Sequence, residues 1–94
     1  MSQNSSAVRD NTALRRFEMD AGGDTAFATY RREGDTLLIL HVETPLALRG
    51  QGIAAKVMGG ALALIRHDGL KVVPVCSYAE AFLTRHREYD DLKP

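Results

Sequence analysis

A single cysteine in 94 residues rules out an intramolecular disulfide and any cysteine-based metal cluster, so Cys76 can act only as a thiol. Excess charge is missing too. Twelve Lys and Arg balance twelve Asp and Glu, which excludes the broad basic surface that non-specific nucleic-acid binding needs and leaves room for a locally basic groove only. No apolar run approaches the length of a bilayer-crossing helix, so no membrane association is expected. The opening Met1–Ser6 is polar and lacks the apolar core of a signal peptide, and the expected location is cytoplasmic. Three scattered histidines and one cysteine give no metal-ligand set. Repeats and linkers are also lacking. The length is that of one domain, able to bury roughly 60% of its unfolded surface. The expectation is a disordered tail over residues 1–7 and one domain over residues 8–94.

What is present is a change of period along the chain. Leu14 to Asp20 and Thr25 to Arg32 read as strands joined at Ala21-Gly22-Gly23-Asp24, a glycine pair that favours a hairpin. Glu33-Gly34-Asp35 marks a second turn, and Thr36 to Val42 reads as a strand that is apolar on both faces and therefore central. Alternation along it places Leu37, Ile39 and His41 on one face. Helical spacing then takes over, with Ile53, Val57, Ala61, Leu64 and Ile65 on one stripe, ending at His67-Asp68-Gly69, where glycine can serve as the C-terminal cap. Gly59 and Gly60 weaken that helix by about 1 kcal/mol each relative to Ala, and close packing on the sheet is their expected use. Leu70 to Val75 reads as a further interior strand, parallel to the first because a helix separates them. Ser77-Tyr78-Ala79-Glu80 has the form of a capping box and predicts a short helix ending near His86. The fold class is α+β with an α/β-like layer: antiparallel N-terminal strands, a parallel strand–helix–strand unit and a C-terminal helix.

Between the central strand and its helix lies Arg49-Gly50-Gln51-Gly52-Ile53-Ala54-Ala55-Lys56. Glycines at a helix mouth let a ligand approach the backbone, while the unpaired N–H groups and the positive end of the dipole attract an anion. Three phosphate loops compete for these residues. A Walker A reading fails because Ala55 and Val57 stand where a glycine and a magnesium-holding Ser or Thr belong. A dinucleotide fingerprint fits Gly50, Gly52 and Ala55 in letters, but the loop after Val42 is too long and the next strand runs into Cys76 instead of an acidic ribose ligand. The third pattern, Arg/Gln-x-x-Gly-x-Gly/Ala, is met at every position by Arg49, Gly52 and Ala54.

That pattern resembles the acyl-CoA pyrophosphate loop of the GNAT acyltransferase superfamily. From about Val8 to Leu92 the chain is similar to the small, single-domain GNAT-like N-acetyltransferases, through Arg16-Phe17-Glu18, His41-Val42-Glu43, Leu48 to Ala54, Val73-Pro74-Val75-Cys76 and Arg85-His86-Arg87-Glu88-Tyr89. It departs from their pattern at Ser77 and Arg87, each in place of an expected proline. The resemblance implies a minimal GNAT-like fold, acetyl-CoA as cofactor, and acetyl transfer to an amine acceptor: a small molecule, a lysine or a protein N-terminus. It also implies that the loop amides of Gln51 to Ala54, Ile53 included, hold the pyrophosphate beside Gly50. Arg49, Lys56 and Arg85 add positive charge, and backbone groups of Val42 and Glu43 pair with the pantetheine arm, bringing the thioester near Cys76.

Cys76 and His41 are the candidate catalytic residues. Helix N-termini favour the thiolate, the nucleophilic form of cysteine, and both residues approach the C-terminal edge of the sheet, where open α/β layers bind ligands. Two routes are open: direct attack by the amine with His41 or Cys76 assisting proton transfer, or an acetyl-Cys76 intermediate. Direct attack is favoured as the usual route for such enzymes. The plain alternatives are a buried, inert Cys76 and a hydrogen-bonded, structural His41. His86 reads as a helix-end dipole partner or a CoA-phosphate contact, Tyr30 and Tyr78 as packing residues, and Tyr89 as either an anchor of the C-terminal segment or a group reaching the departing thiol. A short hairpin between the first two strands leaves the acceptor side open. This keeps a second function in view, a CoA-binding or protein-interaction module with little catalysis.

Overall fold

The computed structural model describes residues 7–94; the tail expected over residues 1–7 lies outside them, apart from Ala7. Five strands form one sheet in the order β1-β2-β3-β4-β5. β1 is Val8–Asn11, β2 Arg16–Ala21, β3 Asp24–Glu33, β4 Thr36–Glu43 and β5 Lys71–Pro74. Helix α1 (Ile53–His67) joins β4 to β5, α2 (Ser77–Arg85) follows β5, and 3-10 turns cover Leu46–Leu48 and Arg87–Leu92. The first four strands are antiparallel and β4 pairs with β5 in parallel, as the crossover helix requires.

The β2–β3 hairpin turns at Gly22 and Gly23, with φ of 59° and 85°; positive φ at both central residues is what a type I′ hairpin requires. Strand β1 was not legible in the sequence. Val8-Arg9-Asp10-Asn11 has one apolar residue, and it forms a strand because Val8 is buried against α1 while Arg9 bonds Asp20 and Glu18 on β2. Leu14 and Arg15 belong to the β1–β2 turn and not to a strand.

One face of the sheet is buried. Phe17, Ala28, Tyr30, Leu37, Ile39 and Val72 project into a single cluster with Val57, Met58, Ala61, Leu62 and Ile65 of α1 and Ala79, Phe82 and Leu83 of α2. The helical stripe is as its period demanded, except that Met58 and Leu62 are buried and Leu64 only half so. On the opposite face Phe27, Thr29, Leu38 and Val73 are half-buried and His41 is exposed.

His41 departs from simple alternation because β4 carries a bulge. Thr29 faces His41 while Tyr30 faces Ile39, so Leu40 is the extra residue. A bulge inverts the parity of the residues beyond it. His41 therefore leaves the face of Leu37 and Ile39, and Val42, opposite Ala28, takes the inner one.

Gly60 explains how β1 docks. A Cβ there would lie 2.3 Å from Val8 Cγ2 and 2.5 Å from Val8 Cβ, whereas one at Gly59 would meet only the Tyr89 hydroxyl at 3.9 Å. Gly60→Ala should therefore destabilise despite its gain of about 1 kcal/mol in helix propensity, since overpacking costs about 1–3 kcal/mol. Gly59→Ala should stabilise by up to about 1 kcal/mol. Urea denaturation of the two variants should move in opposite directions.

β1 is also tied through Glu18, the one buried charged side chain among the described residues. Burial pushes its carboxyl up, but bonds from Arg16, Asn11 and Arg9 outweigh that and hold it below the usual carboxylate range. A depressed folded value means that the contribution of Glu18 is complete above the unfolded pKa, about 4.3, and is lost as pH falls through the lower folded value. Across that acid window the urea midpoint of Glu18→Gln should fall less steeply with pH than that of the unsubstituted protein.

Candidate active site

The β4–β5 ladder stops at Ile39↔Pro74. Beyond it the N–H groups of both Val75 and Cys76 donate to the Ile39 carbonyl, at 2.9 and 3.1 Å, and the chain swings away into α2. Among the described residues, Leu40 to Glu43 thus have β3 on one side and no strand on the other. The parting of the strands coincides with the bulge at Leu40.

A cleft of about 350 Å³ lies at this end of β4. Val42, Glu43 and Thr44 form its strand wall, Leu48, Arg49, Gly50 and Gly52 its loop wall, Ile53 to Ala55 its helical end, and Tyr78 closes it from α2. Gly52 caps α1 with φ 72°, and Gly50 has φ 84°. A Cβ at either would meet nothing within 4 Å, so the backbone turn and not crowding calls for glycine. The first helical bond runs from Lys56 N–H to the Gly52 carbonyl, 3.1 Å, and the amides of Ile53, Ala54 and Ala55 precede it with no acceptor inside the helix. No acidic residue sits in this first turn. The surroundings therefore suit an anion such as a pyrophosphate.

Arg49 stands at the mouth of the cleft, its Nε donating to the Thr44 carbonyl (3.2 Å) and its guanidinium 3.8 Å from the Glu43 carboxylate. The same carboxylate pairs with His41 Nε2 at 2.8 Å. Partial burial pushes the Tyr78 phenol above its ordinary value, against the opposing pull of Arg85.

Cys76 is at a helix N-terminus as expected, but the capping box is not formed. Cys76 itself is the cap: its Sγ accepts the Ala79 N–H at 3.3 Å, and Ser77 becomes the first helical residue. Cys76, two residues beyond the end of β5, has the extended backbone a cap needs (φ −80°, ψ 151°).

Of the residues singled out in the sequence, Val42, Glu43, Arg49, Gly50, Gly52, Ile53 and Ala54 come together in the cleft. Gln51, Lys56, His41 and Cys76 lie outside its lining, and the Gln51 amide bonds the Ala47 carbonyl. Arg85 lines a separate groove on α2 with Ser77, Glu80 and Thr84. No hydrogen bond joins His41 to Cys76 among the described residues. Sequence reasoning missed Tyr78 as a cleft residue; the signal available was its position in the first turn of a helix that begins at the sheet's C-terminal edge. Tyr89 is an anchor, packed on Phe82 at 6.1 Å between ring centroids and covered by the Arg66 guanidinium at 5.4 Å. His86 stacks on Phe82 at 4.1 Å.

The fold and the site together define an α+β protein with a glycine-capped helix N-terminus facing a cleft beside a parted pair of parallel strands. The chain belongs to the GCN5-related N-acetyltransferase family, whose model matches residues 16–92. Its fold is similar to that of a GCN5-like candidate N-acetyltransferase from Staphylococcus aureus studied in solution by NMR, with TM-score 0.67 and 22% identity over 98% of this chain and 91% of that one. None of the curated proteins matches the chain.

As the cap of α2, Cys76 should be replaceable by serine and not by alanine. Cys76→Ala leaves the Ala79 amide unpaired and should cost about 0.5–1 kcal/mol, while Cys76→Ser should hold or raise stability. Thermal denaturation of the two variants separates this role from any chemical one.

Proposed function

We propose that the protein transfers an acetyl group from acetyl-CoA to an amine. The observation that carries this reading is the cleft between the open edge of β4 and the Gly52-capped N-terminus of α1. The backbone of Gly50 and Gly52 and the amides of Ile53 to Ala55 receive the pyrophosphate, with Arg49 adding charge at the mouth. Lys56 lies on the exposed side of the same turn. The unpaired edge of Leu40 to Glu43 receives the amide-rich pantetheine arm as an added strand would be received. When bound, acetyl-CoA supplies an acetyl group activated as a thioester.

The chain's own groups then handle protons. His41, oriented by Glu43 on the open face of β4, is the base for the acceptor amine in this reading. Tyr78, whose phenol is kept protonated, faces the cleft as a donor. Direct attack is preferred over an acetyl-Cys76 route because the Sγ of Cys76 is engaged as a helix cap, accepting the Ala79 N–H. The alternative, a CoA-binding or protein-interaction module with little catalysis, draws support from Leu40 and Val75, which are 38% and 55% exposed at the adjoining strand ends.

The test compares thermal midpoints with acetyl-CoA, NAD and ATP at equal concentration. Ligand at a hundred times its Kd stabilises by about 2.7 kcal/mol, raising the midpoint of a domain this size by roughly 10–20 °C. A selective acetyl-CoA shift is expected, and no shift, or a larger one with NAD or ATP, would sink the assignment. With spermidine, a lysine peptide and a free N-terminal peptide as acceptors, release of CoA thiol should persist in Cys76→Ser and fall in His41→Ala. Hydrolysis of acetyl-CoA without any acceptor product would favour the module.

A further inference from the structure

The sheet face turned away from α1 and α2 is for most of its area a polar surface whose charges are already matched. Arg9 is paired with Asp20 at 3.0 Å, Arg16 with Glu18, and Arg31 with Glu33 at 3.0 Å. Phe27, on the same face, is roofed by the Arg16 guanidinium, 4.3 Å from its ring centroid. One strip departs from this. Leu38 and Val73 stand opposite each other in the β4–β5 ladder, and Leu40 and Val75 follow two residues further along the chain in each case. The last two are 38% and 55% exposed, and none of the four joins the core cluster. Both helices pack on the other face, so among the described residues the strip is left to solvent.

The strip ends at His41. This ring follows Leu40 directly, is 61% exposed and is held by Glu43 at 2.8 Å. Acetyl transfer with His41 as base, the reading on which this inference rests, brings the part of the acceptor nearest its amine onto the strip. Charge and exposure then select the acceptor. Glu18, Asp20, Glu33 and Glu43 each have a partner, so the further charges of a polyamine meet no free carboxylate on this face. An exposed base also gives an amine no burial to lower its pKa. At pH 7 roughly a tenth of α-amines are neutral, against fewer than about one lysine in a thousand. The nucleophile suited to this open site is an α-amine.

We propose that the acceptor is a polypeptide N-terminus whose first and third side chains are apolar. Same-face side chains of an extended chain repeat every 6–7 Å or so, roughly the step from the Leu40–Val75 pair to the Leu38–Val73 pair. A chain with its α-amine at His41 therefore lays its first and third side chains on the two pairs in turn. A shallow strip fits such a segment better than a small amine, whose binding calls for a concave site. In the transfer the neutral α-nitrogen bonds to the acetyl carbon, and the carbon–sulfur bond breaks with its electron pair going to sulfur. The proton lost by nitrogen passes to His41 and ends on the CoA thiol.

The experiment measures kcat/KM for release of CoA thiol by the full-length protein, with the acetylated product identified by mass spectrometry. The acceptors are a peptide beginning Leu-Gly-Leu, one beginning Ser-Gly-Ser, an N-terminally blocked Leu-Gly-Leu peptide with an internal lysine, spermidine and phenethylamine. The free Leu-Gly-Leu terminus is expected to exceed Ser-Gly-Ser by about tenfold, through partial burial of its leucine side chains, and to exceed the other three acceptors. In Val75→Ser this ratio should fall toward one while the acetyl-CoA shift in thermal midpoint persists. The proposal is overturned by equal rates for the two free termini, by faster turnover of the lysine peptide, spermidine or phenethylamine, or by a ratio unchanged in Val75→Ser. With the midpoint shift retained, any of these leaves the cofactor assignment standing. Absence of both the shift and any acetylated product overturns the two together.

Discussion

The Ile39 carbonyl is the hinge on which this molecule turns. By accepting both the Val75 and the Cys76 amide it ends the parallel ladder, and one residue later Leu40 bulges out of register with β3. A backbone carbonyl has two lone pairs, so it can close one strand and start the departure of the next without leaving a buried donor unpaired. From that point β4 keeps a partner on one side only. The cleft, the orientation of His41 and the start of α2 all depend on it.

Two helix N-termini then meet the same sheet edge for different reasons. α1 begins at a glycine in the left-handed region, which leaves three amides open to the cleft. α2 begins at Cys76, which satisfies one of its own amides internally. One terminus is prepared for an external anion while the other is closed by its own side chain. The same thiol that reads as a nucleophile in the sequence is thus, in the fold, a structural acceptor.

The far end of the sheet is built on charge. Glu18 is buried beneath Arg9, Arg16 and Asn11, which holds the polar edge strand β1 in place. Val8 completes the attachment against Gly60, where α1 approaches too closely for any side chain. Without helices between its first strands, the sheet leaves one face to solvent and depends on α1 and α2 for its whole core.

Much of this was legible in the chain. Strand-like runs placed four strands, period 3.6 placed α1, the Ser77-x-x-Glu80 form placed α2 although Cys76 and not Ser77 caps it, and the Gly22-Gly23 pair placed the hairpin, because each depends on neighbours within a few residues. Strand β1 was not legible, since its pairing energy comes from Arg9, Glu18 and Gly60, far apart along the chain. The bulge was not legible either: Leu40 looks like any other leucine until Tyr30 pairs with Ile39. Local pattern determined which segments are helix or strand and that α1 opens on a glycine-rich loop. Only the tertiary structure decided which way His41 faces and where the chain leaves β5 to bring Tyr78 to the cleft and Cys76 to the start of α2, because the bulge and the end of the ladder depend on hydrogen bonds between strands whose register no single segment encodes.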